Sequence, residues 1–77
     1  MNILIIEDES GIASFLKQGL EEENYAVSIA IDGQTGLQKA LSEQPDLILL
    51  DWMLPKLSGL EVCEAIRKKD KSTPILF

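Results

Sequence analysis

The residues grouped for chemistry in this sequence are carboxylates. Glu7 and Asp8 close an apolar run near the N-terminus, and Asp51 closes a second one, Leu47–Leu50. There is no His, which removes the commonest general base and zinc ligand. The one cysteine, Cys63, can form neither an internal disulfide nor a cysteine-based metal knuckle. Ligands of open parallel sheets bind beyond the carboxyl ends of the strands. If the two apolar runs are neighbouring strands, Glu7, Asp8 and Asp51 meet at one sheet end. Like charges that close need a counterion to stay ionised. A hard divalent cation answers this, and carboxylate, carbonyl and water are the donors Mg²⁺ selects. The chemistry expected is therefore a Mg²⁺ pocket with one carboxylate free to act as a nucleophile. The plainer reading is that acidic residues after strands cap helices or sit in solvated loops. For Glu7 or Asp8 alone that reading is preferable. Asp51 fits it less well, because Trp52, Met53 and Leu54 follow it.

The elements that must position these groups are legible in the hydrophobic pattern. Asn2–Ile6 reads as a strand buried on both faces. Ser10 is a candidate helix cap, with Ile12, Phe15, Leu16 and Leu20 following at helical spacing and Asn24 suited to a left-handed stop. Tyr25–Ile31 reads as a second strand, and Asp32-Gly33 as a turn. A second helix carries Leu37, Ala40 and Leu41 and stops before Pro45. Leu47–Leu50 is a third strand. Ser58 to Glu61 spells a capping box that starts a third helix through about Lys69. Pro74–Phe77 opens a fourth strand. Strict alternation of strand and helix predicts a parallel sheet with right-handed crossovers.

The 77 residues carry 13 acidic and 7 basic side chains, a net charge of −6. Length limits the chain to one small domain. A 45% hydrophobic content is globular rather than disordered composition. The acidic balance argues against direct contact with nucleic acid, whose phosphates are bound by Lys and Arg. No secretory signal is visible, and no apolar run approaches the ~20 residues of a membrane span. A soluble cytoplasmic protein without membrane contact is the expectation.

Taken together, these features resemble the receiver domain of two-component response regulators. The resemblance rests on Glu7-Asp8 after the first strand, Asp51 after an apolar third strand, Pro55 and Gly59 at successive four-residue intervals, the Pro45-Asp46 lead-in and the element order. It covers the whole chain and is strongest to receivers that precede a winged-helix DNA-binding domain. It implies an α/β, flavodoxin-like doubly wound sheet of strand order 2-1-3-4. It implies Asp51 as phosphoryl acceptor from a sensor histidine kinase, with Glu7, Asp8, Asp51 and the Met53 backbone carbonyl holding Mg²⁺. Pro55 would fix the loop turn, and Gly59 would let the loop enter the third helix. A receiver of this kind carries out its own phosphoryl transfer but is not a turnover enzyme. The family pattern also asks for a Ser or Thr ending strand four and a Lys ending strand five. Thr73, Lys68, Lys69 and Lys71 stand at the wrong end to replace them. The expectation is a truncated, single-domain receiver over residues 1–77, about two thirds of the usual size, without fifth strand or last two helices and not competent to switch. The parent's C-terminal DNA-binding domain would be absent here.

Three competing readings are weaker or different in kind. A phosphatase with an Asp nucleophile resembles D-x-D, and Met53 stands where the second Asp would be. A flavin or nucleotide domain cradles phosphate at a helix N-terminus, and the acidic Glu7–Ser10 loop would repel it. The third takes the chain as a fragment made for folding or assembly work, with no signalling activity. Cys63 reads as a small packed hydrophobe, and Glu21–Glu23 as a solvated face. Trp52 reads equally well as a partner contact or as a lining residue beside the acidic pocket. Gly36 costs helix stability unless close packing requires it. Strand order 2-1-3-4 would put the first helix on one face and the other two on the opposite face. That leaves part of the first face and the strand-four edge uncovered, which favours self-association.

Overall fold

A computed structural model describes all 77 residues. The sheet has four parallel strands, β1 (Asn2–Ile6), β2 (Ala26–Ala30), β3 (Leu47–Leu50) and β4 (Ile75–Leu76), in the order β2-β1-β3-β4. Three helices connect them: α1 (Ser10–Glu22), α2 (Gly33–Glu43) and α3 (Gly59–Arg67). β1 lies in the middle, so Ile3, Leu4, Ile5 and Ile6 are all buried, as an apolar run with no polar alternation requires.

Pairing fixes the two faces. Leu4 lies beside Ile48 and Ile6 beside Leu50, and this face packs with Ala30 against Ala40 of α2 and Val62 and Ile66 of α3. Ile3 lies beside Leu47 and Ile5 beside Leu49 on the other face. There α1 rests mainly on β2, with a smaller contact on β1. Leu47 and Leu49 stay half-buried, and Leu76 is exposed. A groove of about 280 Å³ lies there, walled by Ile5, Leu16, Leu49, Leu76 and Phe77 and reaching Glu7 and Asp51.

Several boundaries differ from the sequence expectation. Ser10 is the first residue of α1, not its cap; Glu9 holds the cap position without a side-chain hydrogen bond. The α1 C-terminus is closed by backbone instead, with Asn24 at φ 71 and the Tyr25 N–H reaching the Leu20 carbonyl. β2 loses Tyr25 and Ile31, both exposed beyond the ladder of an edge strand. Asp32-Gly33 is not a free turn. Asp32 caps α2 by accepting the Thr35 N–H at 2.7 Å, and Gly33 is already helical. α3 ends at Arg67 rather than Lys69, and β4 is only Ile75–Leu76. The capping box forms as read, with the Ser58 hydroxyl accepting from Glu61 N–H and the Glu61 carboxylate accepting from Ser58 N–H.

Gly36 also has its explanation. A Cβ there would come within 2.6–2.8 Å of three Ile6 side-chain atoms, so α2 sits on β1 at a distance only glycine permits. Lys39, one turn further on, donates to the Ile29 carbonyl at 2.7 Å and occupies an acceptor on the outer edge of β2. Cys63 is half-buried and packs on the core. No helix is long and apolar enough to cross a membrane.

Candidate functional site: an acidic cluster at the sheet end

The sheet ladder itself brings the acidic residues level. Beyond the last paired residues, Ile6 and Leu50, the Asp51 N–H donates to the Ile6 carbonyl at 3.0 Å. On the other side of β1 the Glu7 N–H donates to the Ala30 carbonyl at 2.9 Å. Glu7 and Asp51 are thus neighbours across the strand ends, and Asp8 follows at the start of the loop to α1. One carboxylate oxygen from each of Glu7, Asp8 and Asp51 lies within 4.8 Å of the other two.

The three environments differ. Glu7 and Asp51 are half-buried and Asp8 is exposed. Burial, together with the neighbouring charge of Asp51, holds the Glu7 carboxyl above its ordinary range; a hydrogen bond from Glu9 N–H opposes the shift. A carboxylate pushed toward its neutral form beside two others is the electrostatic signature of a site short of positive charge. The oxygen-only donor set and its spacing fit a hard divalent cation.

The segment from Asp51 to Ser58 carries the remaining expected residues. Leu54 and Leu57 pack on the core and anchor it. After Pro55 the chain folds tightly over Lys56, which has φ 70, as the Leu57 N–H donates to the Pro55 carbonyl at 2.7 Å. The loop then passes so close to the start of α3 that a Cβ on Gly59 would collide with the Asp51 carbonyl and the Trp52 Cα. In that tight space the Gly59 N–H donates to the Trp52 carbonyl at 2.9 Å. Met53 is 83% exposed, and its N–H donates to the Asp51 carboxylate over a long 3.4 Å. Trp52 stacks on Phe77. Sequence reading missed that contact: the expected strand order puts β4 beside β3, but nothing in local pattern pairs these two rings.

Arg67 ends α3, and Lys68, Lys69 and Lys71 follow it before β4, so all four lie at the opposite end of the sheet from the carboxylates. Thr73 lies there too, hydrogen-bonded to Asp70.

Comparison with known proteins agrees with this architecture. Residues 3–77 match the response regulator receiver domain, and the chain belongs to that family. Among curated relatives, response regulator ArlR of Staphylococcus haemolyticus is 53% identical over 76 residues. ArlR of Staphylococcus aureus is 55% identical over 75 residues. These matches cover 99% and 97% of this chain but 34% of each relative. The chain thus spans about a third of the length of the curated relatives it matches. Among solved structures, TrrA of Thermotoga maritima, in complex with Mg²⁺–BeF, superposes with a TM-score of 0.92 at 43% identity, over 96% of this chain and 64% of that one. A CheY-like receiver domain protein of Methanospirillum hungatei gives 0.93 at 36% identity, over 96% and 59%. Both therefore contain the four-stranded parallel arrangement seen here within a longer flavodoxin-like chain.

Proposed function

We propose that the chain is the phosphoacceptor part of a two-component receiver, with Asp51 as the acceptor. The observation that carries this reading is the meeting of three carboxylates at the end of neighbouring parallel strands. Glu7, Asp8, Asp51 and the Met53 carbonyl would hold Mg²⁺, which supplies charge neutralisation for a phosphoryl group in flight. An Asp51 carboxylate oxygen attacks the phosphorus of a kinase phosphohistidine. The phosphorus–nitrogen bond breaks, and the imidazole nitrogen leaves with its electron pair. The product is an acyl phosphate, which is hydrolysable and therefore suits a transient signal. Pro55 and the cramped Gly59 shape the loop that presents Asp51 and Met53.

The donor must reach Asp51 from outside. Phe15, 76% exposed, and Ile12 stand on α1 just past the acidic loop, an apolar surface suited to a kinase helix. In a protein of the relatives' length, the remaining chain would carry the output, a DNA-binding domain. Lys56, in the loop after Asp51, is a cation at this end, where its charge acts on Asp32. The 77 residues place neither a Ser or Thr at the end of strand four nor a fifth-strand Lys beside Asp51, so stable phosphorylation of this chain by a small phosphodonor should be slight. The partly covered α1 face and the β4 edge would favour self-association, which sedimentation velocity measures directly.

The deciding experiment is phosphoryl transfer from a phosphorylated sensor kinase to the full-length parent, read by intact mass. Transfer that disappears with Asp51→Asn supports the reading, and undiminished transfer to that variant overturns it. Within this chain, Mg²⁺ should perturb the fluorescence of Trp52, the only Trp, and Asp51→Asn should abolish the change.

A further inference from the structure

The Trp52–Phe77 stack links the residue that follows β4 to the residue beside the proposed acceptor. Its ring centroids are 4.4 Å apart and its planes are inclined by 24°. Both residues are 54% exposed, so the pair is not a by-product of core burial. The loop next to it is otherwise thinly held. Met53 is nearly free of packing, and its hydrogen bond to the Asp51 carboxylate is long. The Trp52 backbone is fixed on one side only, through its carbonyl and the Gly59 N–H. The indole ring supplies a second point of attachment, to Phe77 just past β4.

We propose that Phe77 is a positioning residue for the site: by stacking on Trp52 it holds the Asp51–Met53 backbone in the conformation that presents the carboxylate and the Met53 carbonyl together. This rests on the reading of the acidic cluster as a Mg²⁺ and phosphoryl site. Offset aromatic stacks are worth a factor of about two to ten in an equilibrium. That factor is the scale on which Phe77 sets the fraction of loop held ready for a cation.

The test uses the 77-residue chain and four variants: Phe77→Leu, Phe77→Tyr, Trp52→Leu and the Phe77→Leu/Trp52→Leu double. Two quantities are read, Mg²⁺ affinity by calorimetry and amide exchange at Met53 and Leu54 without metal. Phe77→Leu should weaken Mg²⁺ binding about two- to tenfold and speed exchange at both amides. Phe77→Tyr should restore both. Trp52→Leu should match Phe77→Leu, and the double variant should lose no more than either single change. Wild-type behaviour in Phe77→Leu, additive losses in the double variant, or global unfolding of Phe77→Leu would each overturn the proposal. If the unaltered chain binds no Mg²⁺, the metal-site reading fails in this chain, and the exchange measurement still decides whether Phe77 positions the loop.

Discussion

Neutralising Asp51 should make the metal-free protein more stable. In the folded chain the Asp51 carboxylate lies within 4.8 Å of those of Glu7 and Asp8, and unfolding separates it from both. At that distance two unit charges repel by about 1 kcal/mol in water-like surroundings and about 3 kcal/mol at an effective dielectric constant near 20. Asp8 is exposed and the other two are only half-buried, so the low figure applies. Two relieved pairs then give about 1–2 kcal/mol for Asp51→Asn. The amide oxygen can still accept the Met53 N–H, so no hydrogen bond need be lost. For a domain of this size each kcal/mol moves the melting temperature by about 4–8 °C. Calorimetry at low ionic strength with chelator present measures the shift. Salt provides an internal control, since the Debye length falls to about 3 Å at 1 M and the gain should shrink. Addition of Mg²⁺ should stabilise the unaltered chain and leave Asp51→Asn unmoved. A variant that melts at or below the unaltered chain, at low salt and without divalent cation, would refute the reasoning that these carboxylates strain one another.

Titration should show the same conflict with two opposite signs. Glu7 is held above its ordinary value, so its protonation favours the fold, and that contribution is lost as pH rises through the raised value. The melting-temperature advantage of Glu7→Gln should therefore grow from about pH 4 to about pH 7 in metal-free buffer. Asp70, held down at about 2 by the Thr73 hydroxyl and nearby N–H groups, contributes stability above the ordinary carboxylate range and loses it as pH falls toward that value; Asp70→Asn should flatten the acid limb. Gly59→Ala places a methyl against backbone that cannot yield, and should cost about 1–3 kcal/mol by chemical denaturation while weakening Mg²⁺ binding. Ser58→Ala removes one arm of the capping box and should cost about 1 kcal/mol with Mg²⁺ affinity retained.

The elements nearest the site were the most legible. Asn2–Ile6 and Leu47–Leu50 are apolar on both faces because each lies inside the sheet, and both bounds match the sequence reading. The capping box at Ser58 declared α3 because both partners are local in sequence. Reading failed where the deciding contact is distant or the element is marginal. β2 is an edge strand only partly buried, so Tyr25 and Ile31 look like strand residues without being paired. Ser10 is a good cap by type, yet the chain leaving Glu7 and Asp8 turns helical one residue sooner. Asp32 did carry a readable signal, an acidic residue three before Thr35 and ahead of the Leu37–Leu41 periodicity. The service of Gly36 depends on Ile6, and that of Trp52 on Phe77; neither pairing is written in local pattern. The grouping of Glu7, Asp8 and Asp51 was anticipated from strand ends, since register, not side-chain chance, brings them together.

The unequal seating of α1 divides the molecule into parts of different cooperativity. α2 and α3 share one buried cluster with the sheet, while α1 is joined chiefly to β2, with Ala13 its one fully buried residue. Local opening free energies follow such differences, so α1 should detach before α2 and α3 do. Glu7 and Asp8 stand at the root of that helix, and Asp51 stands on the sturdier half. A cation gripped by all three would tie the loosely hinged part to the rigid one. Its arrival would then be felt as slowed exchange along the length of α1, far beyond the atoms it touches.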